Sequence, residues 1–174
     1  MDLNNIIFSL FLIFIGYFFS KYLLLILKKS KYNLSFTYTD YTPFFESFGK
    51  KKIKKRTFLK DHFNYRTFIK NSSINTTTMI IARSILGTHR FKKIKLLEDY
   101  LFKCKLLKSN NIAKKLDKDL AFYRILNKSR SSQRLKNIYW LWHINKNYNK
   151  LNFCQNIMSI FFISINSIKK YGIK

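Results

Sequence analysis

Basic and aromatic residues alternate between Lys50 and Lys70, in the run KKKIKKRTFLKDHFNYRTFIK. Lysine and arginine neutralise phosphates, and flat rings stack on unpaired bases, so this mixture is typical of a surface that binds RNA. The alternative is a charge run that faces solvent without a partner. We expect RNA contacts from the first cations of the run, which are Lys50, Lys51, Lys52, Lys54, Lys55 and Arg56.

A second basic segment, LNKSRSSQRLKN, extends from Leu126 to Asn137. Its small hydroxyl residues lie among Arg130, Arg134 and Lys136, which lets the backbone approach phosphates closely and donate hydrogen bonds to them. The segment therefore predicts a second contact with RNA.

Residues suited to catalysis or metal binding are sparse. Cys104 and Cys154 lie far apart and form no CxxC pair, and the three histidines lack metal-ligand spacing. The chain holds 8 acidic residues, and its sequence shows neither a nucleophile with a base nor a Gly-rich phosphate loop. We expect a protein without catalytic activity, metal or cofactor, with both thiols reduced.

The overall charge requires a polyanionic partner. Lysine and arginine number 34 against 8 acidic residues, which leaves a net charge of +26. Such an excess opposes folding through self-repulsion unless phosphates offset it, and nucleic acid or an anionic membrane could supply them. Abundant Lys, Asn, Ile and Phe beside 4 Gly and 1 Pro also indicate AT-rich codons, so part of the charge can reflect mutational bias in an organellar genome.

The N-terminal segment Ile6–Leu27 is apolar and long enough to cross a bilayer, which takes about 20 residues. Lys28, Lys29 and Lys31 follow it, as expected for a positive-inside flank. The segment does not resemble an Arg-rich, Ser-rich import presequence. Two interpretations stay open: a membrane span, or a helix buried against other proteins in a large assembly.

Periodicity predicts short helices joined by irregular chain. Residues 32–49 contain the proline and many Ser, Thr and aromatic residues, which favours an irregular connector, and Asn71–Thr78 is typical of a polar linker. An amphipathic helix with a lysine-rich back is predicted from Arg90 to Ser109, and a second short helix from Asp117 to Leu126. The apolar stripe of the first helix consists of Leu96, Leu97, Tyr100, Leu101, Cys104 and Leu107.

Four motifs follow one another in the second half of the chain. KKIKLLEDYLFKCKLLK carries Lys92, Lys93, Leu96, Tyr100, Lys103, Leu107 and Lys108, and LNKSRSSQRLKN carries Leu126, Lys128, Ser131, Arg134, Lys136 and Asn137. Tyr148, Lys150 and Ile157 come next, and INSIKK ends at Lys170. In this order and spacing, residues 90–170 resemble the small-subunit ribosomal protein fourteen family, in a divergent mitochondrial form of its zinc-free bacterial type.

The resemblance implies short helices plus a basic loop for the second half of the chain. Together with the apolar N-terminal helical extension that hydropathy predicts, the expected fold is mainly α with extended, irregular segments. Three regions are expected: 1–31, an apolar helix; 32–78, an irregular connector with a basic-aromatic RNA-binding extension; and 79–174, the ribosomal-protein-like domain. Further RNA contacts are then expected from Arg90, Lys92, Lys93, Ser131, Asn137, Lys150, Lys169 and Lys170.

The resemblance also implies a function and a place. We expect a structural constituent of the mitochondrial small ribosomal subunit, encoded in the organelle, which binds the 3′ major domain of the rRNA in the subunit head among neighbouring head proteins. Residues 6–27 would add a contact with the inner membrane or with another protein. The competing interpretation is an accessory membrane subunit of a mitochondrial respiratory complex or ATP synthase, which explains Ile6–Leu27 directly and the cationic motifs poorly.

Overall fold

The structure, a computed structural model, describes residues 35–47, 50–109, 111–125 and 133–171. The apolar helix expected at 1–31, including the segment 6–27, lies outside these ranges. Within them, no helix combines the length and the apolar character that crossing a bilayer requires.

A mixed sheet organises the described part of the chain. Its strands follow the order β2-β1-β5-β3, and β4 pairs with β1 beside β2. The strands β1 and β5 run parallel, and the other pairings are antiparallel. The bounds are β1 Phe36–Ser47, β2 Lys50–Ile53, β3 His62–Phe63, β4 Ile80–Ile81 and β5 Ala113–Ile125.

The long strand β1 replaces the irregular connector that we expected at 32–49. Threonine, tyrosine and phenylalanine dominate FTYTDYTPFFES, and these residues favour strands. Both faces of its first half are buried, since Phe36 and Tyr38 on one face and Thr37 and Thr39 on the other are nearly inaccessible. The irregular connector was predicted partly because of Pro43. In the structure Pro43 lies opposite Tyr123 of β5, and its carbonyl accepts from the N–H of Lys54 at 2.8 Å.

The strand β5 replaces the second helix that we expected from Asp117 to Leu126. Its register on β1 begins with Phe36 opposite Ala113 and shifts around Asp40, where the pairing is irregular. Partners this distant in sequence leave no trace in the local periodicity on which the helical prediction rested.

Five α-helices lie within the described ranges, together with a 3₁₀ turn at Thr76–Thr78. Asn64 begins the first helix with a capping box, in which its side chain and Thr67 bond each other's backbone N–H. Asn75 caps the 3₁₀ turn from the predicted polar linker. The helices are α1 Tyr65–Phe68, α2 Arg83–Leu86, α3 Glu98–Lys108, α4 Arg134–Asn147 and α5 Phe153–Tyr171.

The helix α3 confirms the predicted apolar stripe but not the cationic back. It begins at Glu98 rather than Arg90, directly after Leu97, whose φ of 62° is left-handed. Most of the stripe is buried, and Leu97 is half buried against the core. Lys103, assigned to the cationic face, is 2% exposed and donates to Asp99 at 2.8 Å and to the carbonyl of Ile74 at 2.7 Å.

Two helices form most of residues 134–171, where the family's fold has an extended C-terminal part. The helix α5 spans 19 residues and packs against α4. A buried polar network joins them to α3: the Tyr100 hydroxyl donates to Oδ1 of Asn145 at 2.9 Å, and Nδ2 of Asn145 donates to the Ser159 hydroxyl at 2.9 Å. That hydroxyl donates in turn to the carbonyl of Ile69 at 2.5 Å, at the end of α1.

The expectation of a mainly α fold was therefore wrong. The hydrophobic core joins rings from β1 and β3 to the short and long helices, with Tyr38 and Phe63 centred 5.6 Å apart and Phe68 stacked on Tyr100 at 5.7 Å. Strand pairing and core run across the boundary expected at 78/79. A sheet built from distant segments organises the part of the chain that the structure describes.

Candidate nucleic-acid interface

The strand β2 carries the first predicted cations to one end of the strand order. Pairing with β1 sets Lys51 opposite Glu46 and Lys52 opposite Phe45, and both lysines are exposed. The amine of Lys51 lies 5.8 Å from the centre of the Phe44 ring. The charged end of Lys51 thus lies over a ring of the neighbouring strand, in the arrangement of a cation–π contact.

The next cation, Arg56, is partly committed to the fold. Its Nη2 donates to Asp40 at 2.8 Å and to Asp117 at 3.0 Å. Its guanidinium also lies 4.9 Å from the centre of the Phe58 ring. The ring of Phe58 therefore lies beside a guanidinium that its bonds to Asp40 and Asp117 hold in place.

Predicted cations from the basic-aromatic run and from the end of α5 line one cleft of about 370 Å³, here called the basic cleft. Lys55, Arg56, Phe58 and Lys60 line one side, between β2 and β3. The end of α5 supplies Lys169 and Lys170, and Asn71, Ser73 and Asn166 add polar groups. None of the described residues that line the basic cleft carries a carboxylate.

Lys170 is the most enclosed cation of the basic cleft. Its amine donates to the hydroxyl of Ser73, which itself bonds the side chain of Asn71. Loss of hydration on burial lowers the pKa of the Lys170 amine to about 8. A cation held this way, beside further lysines, would be stabilised by an anion entering the cleft.

Comparison of this chain with protein-family models, with curated proteins and with solved structures finds no match.

The remaining predicted contacts are dispersed over the surface. Arg90 is exposed, and its Nη1 donates to the carbonyls of Gly87 and His89 at 2.9 and 2.8 Å, so it closes the end of α2. Lys92 lies 4.5 Å from the ring centre of Tyr148, and Lys93 is exposed. These groups do not share a cleft with the cations of α5.

Three further predicted contacts lie on or after α4. Lys136 is exposed on α4, and Asn137 is half buried, with its backbone N–H donating to the carbonyl of Gln133 at 3.1 Å. Lys150 is exposed in the turn before α5, where its φ of 55° is left-handed. Arg130 and Ser131 lie outside the described residues, as do the side chains of Lys50 and Arg134.

The predicted basic-aromatic run contains Phe58, but Phe58 was not among the residues predicted to contact RNA. Lys60, Asn71 and Ser73 were also missing from the predicted contacts. Lys60 belongs to the same run, so its charge was a usable signal. Asn71 and Ser73 carried none, since only the return of α5 brings them beside Lys170.

The described residues contain no group of three or more His, Cys, Asp or Glu arranged to hold a metal ion. Cys104 is buried and Cys154 is exposed. Burial raises the pKa of the Cys104 thiol to about 12, which opposes its use as a nucleophile.

Proposed function

We propose that this chain is a structural RNA-binding constituent of a mitochondrial small ribosomal subunit. Its task is electrostatic: lysines and arginines offset rRNA phosphates where segments of RNA converge, and the protein fold sets the spacing between them. The binding region of the rRNA is the 3′ major domain of the subunit head, shared with neighbouring head proteins.

The observation that carries the proposal is the separation of charges. Acidic side chains of the described residues are largely engaged by groups of the same chain: Asp40, Asp61, Asp99, Asp117 and Glu46 form ion pairs, and Asp119 accepts from Thr42. Exposed lysines on β2 and in the basic cleft are left to face solvent beside aromatic rings. Cations next to exposed rings are typical of surfaces that bind single-stranded RNA.

Assignment to the small subunit rests on the order of motifs from Lys92 to Lys170 and on the segment LNKSRSSQRLKN. The fold expected for that family is not part of the proposal, because a mixed sheet stands in its place.

Gradient sedimentation of an organelle lysate in detergent tests the assignment. We expect the chain to sediment with the small ribosomal subunit, and RNase or high salt should release it because the contacts are ionic. Comigration with a respiratory complex or ATP synthase, unchanged by RNase, would support the accessory membrane subunit instead.

A pair of double variants tests the motif itself. Arg134→Ala with Lys136→Ala should reduce incorporation into the small subunit more than Lys28→Ala with Lys29→Ala, which removes the same charge near the apolar segment. Equal losses in the two would remove the reason for placing an RNA contact at the start of α4.

A further inference from the structure

The basic cleft has the size and the lining of a site for a small anionic ligand. Its volume of about 370 Å³ falls within the roughly 300–1,000 Å³ of small-ligand sites. A cleft at the lower end of that range suits a single nucleotide. A duplex does not suit it, because the paired bases of a duplex are not accessible to the ring of Phe58.

Phe58 supplies the surface for a base. It is 73% exposed, although Arg56 lies over its ring. A phenylalanine covered on one face by a fixed guanidinium keeps its other face open. An unpaired base could therefore stack on Phe58, and Arg56 would hold the ring in position through its bonds to Asp40.

Lys170 and Lys169 supply the anion site. The Lys170 amine bonds Ser73 and meets no carboxylate in the cleft lining, while Lys55 and Lys60 add positive charge on the opposite side. Burying an amine without an anion costs stability, and a phosphate would restore the missing partner.

We propose that the basic cleft binds one unpaired nucleotide of RNA, with its base on Phe58 and its phosphate on Lys170 and Lys169. This inference rests on the proposed function and deepens it, since it selects single-stranded RNA at this site. The site needs cations from the basic-aromatic run and from the end of α5 together.

Equilibrium binding of the full chain to two labelled probes tests the base site. One probe is a ten-nucleotide uridine RNA, and the other is a strand with the same phosphates but without bases. Phe58→Ala should weaken binding of the uridine RNA by about tenfold, on the order of one lost stack, and leave the abasic strand unchanged. Phe122→Ala is the matched control, because that ring is 72% exposed on β5 outside the cleft.

The phosphate site is tested by Lys170→Met, with the exposed Lys169→Gln as a second variant that leaves buried packing intact. Both should weaken binding of the two probes alike, and Lys146→Gln, exposed on α4, should have less effect. A loss from Phe58→Ala no larger than that from Phe122→Ala, or equal losses on both probes, overturns the inference.

Two outcomes separate this inference from the proposed function. If the wild-type chain sediments with the small subunit while the cleft variants bind RNA normally, the inference alone fails. If the wild-type chain binds neither probe and sediments without RNA, the proposed function fails with it. If the cleft variants instead lose binding to phosphatidylglycerol vesicles and keep RNA binding, the cleft holds a lipid phosphate and the inference is overturned.

Discussion

The carboxylate of Asp40 is fully buried and accepts a hydrogen bond from Nη2 of Arg56 at 2.8 Å. The other oxygen of Asp40 accepts from the N–H of Leu59 at 2.8 Å. Arg56 also bonds Asp117, whose side chain is 84% exposed. One guanidinium thus joins a buried carboxylate of β1 to an exposed one of β5, and the Asp40 bonds hold residues 56–59 where they line the basic cleft.

The two carboxylates that pair with Arg56, those of Asp40 and Asp117, should differ sharply in their effect on the free energy of unfolding. Asp40→Ala leaves the Leu59 N–H without its acceptor and removes a buried charge partner, so we expect a loss of about 3 kcal/mol in the free energy of unfolding. Asp117→Ala removes an exposed partner of the same arginine and should change it by less than about 1 kcal/mol. Urea unfolding followed by circular dichroism measures both, and similar losses would mean that burial does not decide the value of the pair.

The network around Asn145 should act as one unit. Asn145→Leu would leave the Tyr100 hydroxyl and the Nδ2 of Asn149 without their buried acceptor, since both donate to Asn145 at 2.9 Å. We expect the free energy of unfolding to fall by roughly 2–3 kcal/mol. Asn147→Leu, at an exposed position on the same helix, should stay within about 0.5 kcal/mol of wild type. An unchanged urea midpoint for Asn145→Leu would contradict this account of how α3, α4 and α5 are joined.

The two thiols should differ in reactivity. Cys154 is exposed, whereas burial raises the pKa of Cys104 to about 12. Because the thiolate is the reactive form, iodoacetamide at pH 8 should alkylate Cys154 and leave Cys104 until the chain unfolds. Peptide mass spectrometry with and without urea distinguishes the sites. Rapid alkylation of Cys104 in the absence of urea would show that α3 is not buried.

The lowered pKa of Lys170 predicts a pH-dependent contribution to stability. The folded value is about 8 and the unfolded value is about 10.4, so between them the unfolded chain binds more protons. The free energy of unfolding therefore rises as the pH increases from about 8 to about 10.4. The buried amine destabilises the fold least above that pH range.

Two variants isolate this effect from the tyrosines, which also titrate at high pH. The difference in free energy of unfolding between Lys170→Met and wild type should favour the variant at pH 7 and shrink between pH 8 and 10. Lys146→Met, exposed on α4 outside the basic cleft, removes the same charge and is the matched control. A difference for Lys170→Met that varies with pH no more than that of the control would mean that its amine remains hydrated.

Local sequence patterns predicted single elements better than their arrangement. The three- and four-residue spacing of Leu101, Cys104 and Leu107 correctly identified the buried face of α3. The same reasoning placed Lys103 on the surface. Its i,i+4 pair with Asp99 is visible in the sequence, but the carbonyl of Ile74 that its buried amine also bonds is not. At β5, the sequence AKKLDKDLAFYRI was predicted to contain a short helix from Asp117, and pairing with the distant strand β1 makes it a strand instead.

The composition alone determined the excess of positive charge, the scarcity of catalytic groups and the interleaving of cations with rings, since these are properties of residue types and their near neighbours. The tertiary structure decided the sheet and the basic cleft. Pairing of β1 with β5 and the return of Lys170 to Ser73 join residues far apart in the chain. Such contacts form because loop closure is offset by burial and backbone hydrogen bonding across the whole core, which no short window of sequence contains.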